Sequence, residues 1–555
     1  MGLRFKFLRL LKRVILPLAA LIYICNAFFS LHTKNIVRNS LSYTEPYRGG
    51  PIDDIKIIKC YVWYGSCNQI TEKNLVEADT GSLEYEEQVW HKLDKSVDIR
   101  GESPRSWSLY HEYLYIHKAA ENKRFNIPRK AIVDIAIGEP GSSHPPYYVV
   151  KDLEALDGKP KSRFDVAKNN DSWKLKHDVI WVKYDKSNSD NAIQDLMILF
   201  GEDVIEPRSD WKLCSGTLKA NLKHLIRLTA RRNTANSHTD KQIPKLCETK
   251  DGEFRILQLS DFHFTENLGE CRDQVTKDSA CNASPKTLNF IHQVLDRESP
   301  NLVVITGDIL DGFHTFDYQT AILKALSPII SRSIPFAVAL GENDKNQFAP
   351  RYEIIEFLAS LPFSMMSLTE KTDFEQVTNY VLPVHNAQNE VIDAIYILDI
   401  YSEASKEQAL KYLKGAYDNL PSEPTLSIEF QHLPIQEYRP KTAFAIVGAY
   451  NEKGKLKSKT DSQTRQILSD VGVQTMSVGS EHANECCILN DGKQDELQPL
   501  WMCFGGSVGE GAYNDGKQDR KVRLFDLKSK SNEITTWKRK QSDPHSVFDY
   551  QFILS

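Results

Sequence analysis

The stretch Phe254-Arg-Ile-Leu-Gln-Leu-Ser260-Asp261-Phe262-His263 and its counterpart Asn301-Leu-Val-Val-Ile-Thr306-Gly307-Asp308-Ile309-Leu310-Asp311 decide how this chain folds. Each begins as an apolar run rich in β-branched residues, which reads as a buried strand, and each ends abruptly on carboxylates or an imidazole. Residues 286–297 between them carry apolar side chains at helical spacing, as do 317–330 further on, and Pro335-Phe-Ala-Val-Ala-Leu340 supplies a third strand. Strand, helix, strand, helix, strand is the βαβ pattern of a parallel sheet, so the fold class is α/β. The third strand also ends on polar chemistry, in Gly341-Glu342-Asn343-Asp344. Parallel strands set their carboxyl ends along one edge, where ligands collect. Asp261, His263, Asp308, Glu342 and Asn343 are therefore delivered to one place.

The alternation continues, with strands expected at 392–400, 426–430, 475–478 and 500–504 and helices at 405–417 and 459–470. His432 and His482 follow two of these strands. A donor set of carboxylate, imidazole and amide suits a divalent Mn, Fe or Zn ion and differs from the all-oxygen shells of Ca and Mg. Gly505-Gly-Ser-Val-Gly509 lacks the lysine of a phosphate-cradling loop and reads as a turn.

Upstream, residues 51–249 read as a β-rich domain, with strands in IKIIKCYVWYGSC, AIVDIAIG, PPYYVV and DVIWVKY. Helices are expected at 192–200 and 218–236, the second with a solvated basic face of Lys219, Lys223, Arg227, Arg231 and Arg232. The 555 residues carry Lys+Arg 69 against Asp+Glu 74, a formal charge of -5, so no general basic field marks a nucleic-acid partner. A mean hydropathy of -0.42 excludes a polytopic membrane protein. One segment, 14–31 (VILPLAALIYICNAFFSL), has no charge and at about 1.5 Å per residue reaches roughly 27 Å, enough to span. Arg4, Lys6, Arg9, Lys12 and Arg13 precede it, which keeps the N-terminus cytosolic. The expected order is a basic tail 1–13, a transmembrane signal anchor 14–31, a linker 32–50, the β-rich domain 51–249 and a catalytic domain 250–555. This describes a single-pass endomembrane protein with a lumenal body; a cleaved signal peptide is the competing reading. Sequons at Asn170 and Asn282 fit a glycoprotein, and Cys271 with Cys281 can close a short surface loop.

The ordered set Asp261-x-His263, Gly307-Asp308-x-x-Asp311, Gly341-Glu342-Asn343-Asp344, His432 and Gly479-Ser480-Glu481-His482 resembles the calcineurin-like metallophosphoesterases. Their pattern is Asp-x-His, Gly-Asp-x-x-Asp, Gly-Asn-His-Asp or Glu, an isolated His, then Gly-His-x-His, and the resemblance covers about 253–527. Phrases such as FRILQLSDFHF and WMCFGGSVGEGAY look most like a fungal branch related to the dosage-dependent cell-cycle regulator phosphatase. Purple acid phosphatases are more distant, because Asp311 stands where they carry a metal-bound tyrosine. The resemblance implies an α+β sandwich that hydrolyses phosphomonoesters, phosphoproteins among them, with two divalent metals that activate water and neutralise phosphoryl oxygens. It implies one complete metal site of Asp261, His263, bridging Asp308 and His482, and an incomplete second one of Asp308, Glu342 and His432, since Ser480 replaces a histidine. If the loop carries a one-residue insertion, Asn343 instead of Glu342 is the amide ligand. Asn343 also stands in the place of the family's general-acid histidine, and an amide cannot supply the roughly 10²- to 10⁴-fold of such proton transfer. Two functions stay open: a phosphatase of reduced or altered activity, and a pseudophosphatase with a binding or regulatory role.

Overall fold

The apolar runs become strands because their β-branched side chains fill a pleated, buried surface. The computed structural model describes residues 50–554 except 62–68, 78–82, 98–109, 119–129, 139–172, 178, 187–189, 220–224, 233–242, 276–279, 347–348, 367–377, 441–445, 455, 457–461 and 494–495. The chain divides into two units, Met1–Ile198 with Leu213–Thr234, and Leu199–Lys212 with Ala235–Ser555. Compared with the expected division at 249/250, the boundary lies earlier, and Leu199–Lys212 belongs to the second unit.

The first unit is β-rich, as expected. Ile52–Tyr61, Tyr110–Lys118, Leu83–Ser96 and Gln69–Glu77 form an antiparallel sheet in that order, and Lys130–Ile137, Ile180–Lys186 and Trp173–Lys176 form another. Two expected helices are strands instead. Residues 192–200 form the strand Ile193–Phe200, and 218–236 contains the strands Leu218–Lys219 and Leu225–Arg232. Helix-favouring Ala, Leu and Met misled at the first, where tertiary pairing overrides propensity. Two residues of the expected basic helix face are strand residues with acidic partners: Arg231 Nε donates to Asp195 Oδ2 at 3.0 Å, and Arg232 Nη2 to Asp134 Oδ1 at 3.2 Å, while Lys223 lies outside the described residues.

The second unit holds two sheets. Its elements are β1 (Leu246–Cys247), β2 (Phe254–Leu259), α1 (Ala283–Glu298), β3 (Leu302–Ile305), α2 (Tyr318–Ile330), β4 (Phe336–Val338), α3 (Arg351–Ser360), β5 (Tyr380–His385), β6 (Val391–Ile397) and α4 (Glu403–Asp418). After these come β7 (Leu426–Gln431), α5 (Ser462–Asp470), β8 (Thr475–Val478), β9 (Cys487–Asn490), β10 (Leu500–Phe504), β11 (Lys521–Lys528), β12 (Glu533–Lys540) and β13 (Phe548–Leu554). One sheet runs β4-β3-β2-β11-β12-β13 and the other β1-β5-β6-β7-β8-β10-β9. Strands β2, β3 and β4 are mutually parallel, as are β6, β7, β8 and β10. The sheets pack face to face: Phe430 of β7 meets Phe525 of β11 edge-on at 5.9 Å, and Ser477 Oγ of β8 donates to Gln258 Oε1 of β2 at 2.6 Å. This is the α+β sandwich that the resemblance implied, and its parallel strands from both sheets end at the same edge.

The segment at 14–31, the linker at 32–49, the PPYYVV strand and the Asn170 sequon lie outside the described residues. Among the described residues no helix is long and apolar enough to cross a membrane. Cys271 is disulfide-bonded to Cys281, and Cys487 of β9 to its cross-strand neighbour Cys503 of β10.

Candidate metal centre

The chain after β2 turns sharply, placing Asp261 at φ 57° and His263 at φ 49°; Asp308 after β3 has φ 53° and Ser480 after β8 has φ 66°. Left-handed backbone is unfavourable for side-chain-bearing residues, and its concentration at the ends of three strands marks a place where packing holds the chain against its local preference. Hydrogen bonds do the holding. The Asp261 N–H donates to Gly307 O at 3.0 Å, His263 N–H to Asp308 O at 3.0 Å, and Ser480 N–H to Asp261 Oδ2 at 3.2 Å.

Within this frame Asp308 lies between two imidazoles. His263 Nε2 is 3.6 Å from its Oδ2, and His432 Nε2 is 3.6 Å from its Oδ1. On the far side, His482 Nε2 is 3.1 Å from Asp261 Oδ1. Two groups of ligand atoms are thereby drawn within 4.8 Å of one another, Asp261 with His263 and His482, and Asp261 with Asp308 and His432. All five residues are buried. A third group, Cys271, Cys281 and Glu510, contains the disulfide.

The imidazole rings are fixed from behind, and two of their inner nitrogens are left unsatisfied. His432 Nδ1 lies 2.8 Å from Thr306 O, and His482 Nδ1 2.7 Å from Tyr513 O. A backbone carbonyl at Nδ1 fixes the ring and leaves Nε2 as the free lone pair, the arrangement that orients metal-binding histidines. His263 Nε2 and His432 Nε2 are buried without a hydrogen-bond partner, which costs free energy unless a cation completes them, and Asp261 Oδ1 faces only His482 Nε2. The residues therefore fit a divalent metal. Electrostatics agree: burial would raise the Asp261 carboxyl, but His482, His432 and His263 outweigh it and hold it at about 2. Burial would likewise lower His263 and His432, yet the surrounding carboxylates push both up.

Glu342 is half-buried and joins neither group. The residue turned onto the carboxylate between His263 and His432 is Asn343, whose backbone N–H donates to Asp308 Oδ1 at 2.8 Å and whose Nδ2 donates to Asp308 Oδ2 at 2.7 Å. Asp344 anchors this loop by accepting the N–H groups of Asp308 at 2.9 Å, Leu310 at 3.1 Å and Gly341 at 2.8 Å. Sequence reasoning missed Tyr513, which stacks on His482 at 3.7 Å and donates its hydroxyl to Ser480 O at 3.1 Å. Its signal lay in the stretch after β10, where Val508 N–H donates to Ser260 O and Gly509 N–H to Asp261 O, so the expected glycine-rich turn wraps Asp261.

A family model described as calcineurin-like phosphoesterase matches residues 254–479. Phosphatase DCR2 of Saccharomyces cerevisiae is 31% identical over 82% of this chain and 80% of its own length. The chain belongs to the calcineurin-like phosphoesterases. Protein SIA1 of Kluyveromyces lactis is 29% identical over 96% of both chains. Probable inactive purple acid phosphatase 28 of Arabidopsis thaliana is 26% identical over 55% of this chain and 84% of its own length. Membership of the calcineurin-like phosphoesterases implies divalent metals and supports a phosphatase-type function, as the ordered motifs led one to expect.

Proposed function

We propose that the chain is a metal-dependent phosphomonoesterase in which Asp261, His263, Asp308 and His482 hold one divalent cation, and Asp308 and His432, beside Asn343, hold a second more weakly. The observation that carries this reading is the convergence of two buried, unsatisfied Nε2 atoms, those of His263 and His432, on the two oxygens of Asp308. Bound cations supply charge neutralisation for a phosphoryl group and an activated water. The chain's own residues orient and exclude. Thr306 and Tyr513 carbonyls fix the rings, and Asn343 holds the shared carboxylate by two hydrogen bonds. No imidazole stands at 343, so esters with poor leaving groups turn over slowly while aryl phosphates, which need no protonation, suffer less. Phosphoproteins and small phosphomonoesters are both within this substrate class. The segment 14–31 as a membrane anchor, with a lumenal and glycosylated body, belongs to the same proposal and is tested by alkaline extraction and glycosidase treatment.

The second reading is a metal-binding pseudophosphatase, favoured by Asn343 and by Ser480 in the place of a histidine. Elemental analysis of the purified chain together with 4-nitrophenyl phosphate turnover in Mn²⁺, beside Asp308→Ala, separates the two. Turnover lost in the variant supports the enzyme; bound metal without turnover supports the pseudoenzyme. A chain that takes up no metal under any loading condition overturns both.

A further inference from the structure

Arg272 stands on a loop closed by the Cys271–Cys281 disulfide, and its backbone is pinned from both sides. Its N–H donates to Glu510 O at 2.8 Å, and its carbonyl accepts from Arg520 Nη2 at 2.8 Å. The side chain is different: it is 45% exposed, and its single hydrogen bond among the described residues runs from Nη2 to Asp311 Oδ2 at 2.9 Å. A guanidinium offers five donors, so most of its capacity is unspent. Asp311 does not depend on it alone, because His314 Nδ1 lies 3.4 Å from the same oxygen and His263 Nδ1 3.6 Å from the other. The neighbouring acid Asp273 is turned away, its Oδ2 accepting the Asn514 N–H at 2.9 Å. A rigid base with an under-used planar cation, at the rim of a metal centre, is the form of a residue that reads an anion.

We propose that Arg272 is a specificity-determining residue that binds a second anionic group of the substrate, beside the scissile phosphate. It is not placed to hold the phosphoryl group itself, because Asp311 and His263 intervene between it and Asp308. The substrate class is thus a phosphomonoester whose organic part carries another negative charge close to the ester, such as a phosphoserine segment with an acidic neighbour. On binding, the guanidinium exchanges part of its contact with Asp311 for that group while His314 and His263 remain beside the carboxylate. The inference rests on the phosphomonoesterase reading for its chemistry, but its test does not need turnover.

The test uses the full chain loaded with Mn²⁺ and two phosphoserine peptides that differ only by Asp or Asn next to the phosphoserine, with wild type, Arg272→Gln and Arg272→Lys compared. A partly exposed ion pair is worth up to about 1 kcal/mol, so the wild type should favour the Asp peptide by about fivefold in kcat/KM. Arg272→Lys should keep most of that ratio, and Arg272→Gln should bring it to about one, whatever common change in rate it causes. If neither peptide is hydrolysed, the same ratio is read from dissociation constants, and the phosphomonoesterase reading fails separately. A ratio near one in the wild type, a ratio that survives in Arg272→Gln, or no binding of either peptide overturns the inference. A purely structural role for Arg272 would slow both peptides equally and leave the ratio unmoved.

Discussion

Replacing Gly307 by alanine tests whether the close approach between β3 and the end of β7 builds the second half of the metal centre. Gly307 has φ +86°, and a Cβ there would lie 2.4 Å from His432 Nδ1 and 2.7 Å from Gly341 N. The left-handed conformation costs an alanine roughly 1–2 kcal/mol. Gly341 cannot retreat easily, since its N–H is bonded to Asp344 Oδ2 at 2.8 Å, so the imidazole must move and forfeit its contact with Thr306 O. Losing that hydrogen bond adds about 1 kcal/mol. The sum is about 2–3 kcal/mol, which at ~2 °C per kcal/mol for a unit of this size lowers Tm by about 4–6 °C. The displaced ring should also cost the second cation while the Asp261, His263 and His482 group keeps the first. Differential scanning calorimetry and metal content by elemental analysis read both effects. Gly415→Ala is the control, because nothing lies within 4 Å of its Cβ position in α4, and alanine there should be neutral or stabilising by up to about 1 kcal/mol. If Gly307→Ala melts with the wild type and binds the same complement of Mn²⁺, the steric argument is refuted.

Three further outcomes are expected. Glu429 is fully buried with neither carboxylate oxygen hydrogen-bonded, and burial pushes its acid well above the usual range. It folds neutral, so its contribution is intact at low pH and is lost as the unfolded carboxylate ionises with rising pH. Glu429→Gln should therefore gain stability relative to wild type at pH 8 and not at pH 4, and equal differences in Tm at both pH values would contradict this. Lys324 is buried, with Nζ bonded to Asp203 Oδ1 and Oδ2 at 3.0 Å each and to Asn267 O at 2.6 Å. Lys324→Met should cost about 3 kcal/mol by stranding Asp203, and restoration by Asp203→Leu in the double variant, read by urea unfolding, checks that the pair is coupled. The Cys487–Cys503 bridge closes a sequence separation of 16. Cys487→Ser with Cys503→Ser should lower unfolding stability by about 3 kcal/mol, and an unchanged denaturation midpoint would count against a role for the bridge.

Where residues sit at the end of their own strand was legible beforehand. Asp261, His263, Asp308, His432 and His482 each follow an apolar run, and period and order alone carried them to one edge of the sandwich. Contacts made between distant segments were not. Tyr513 lies 31 positions from the histidine it stacks on, and Arg272 lies 39 from the carboxylate it holds. No local pattern records either contact. The two mistaken helices have the same cause: at 193–200 and 225–232 the chain's local preference yields to strand pairing and to the Arg231–Asp195 contact across it.

The sequence by itself determined the α/β alternation and the placement of carboxylates and imidazoles at strand ends, because strand and helix period are properties of neighbouring residues, and its ordered motifs carried the resemblance that implied the sandwich. Only the tertiary structure decided that Asn343 lies against Asp308 while Glu342 joins neither ligand group, and that His482 is gripped by Tyr513. Those choices depend on where a loop is anchored by three backbone hydrogen bonds to Asp344, and on which carbonyl the folded chain brings to an imidazole nitrogen. Both are set by packing between segments distant in the chain, which one-dimensional spacing does not encode.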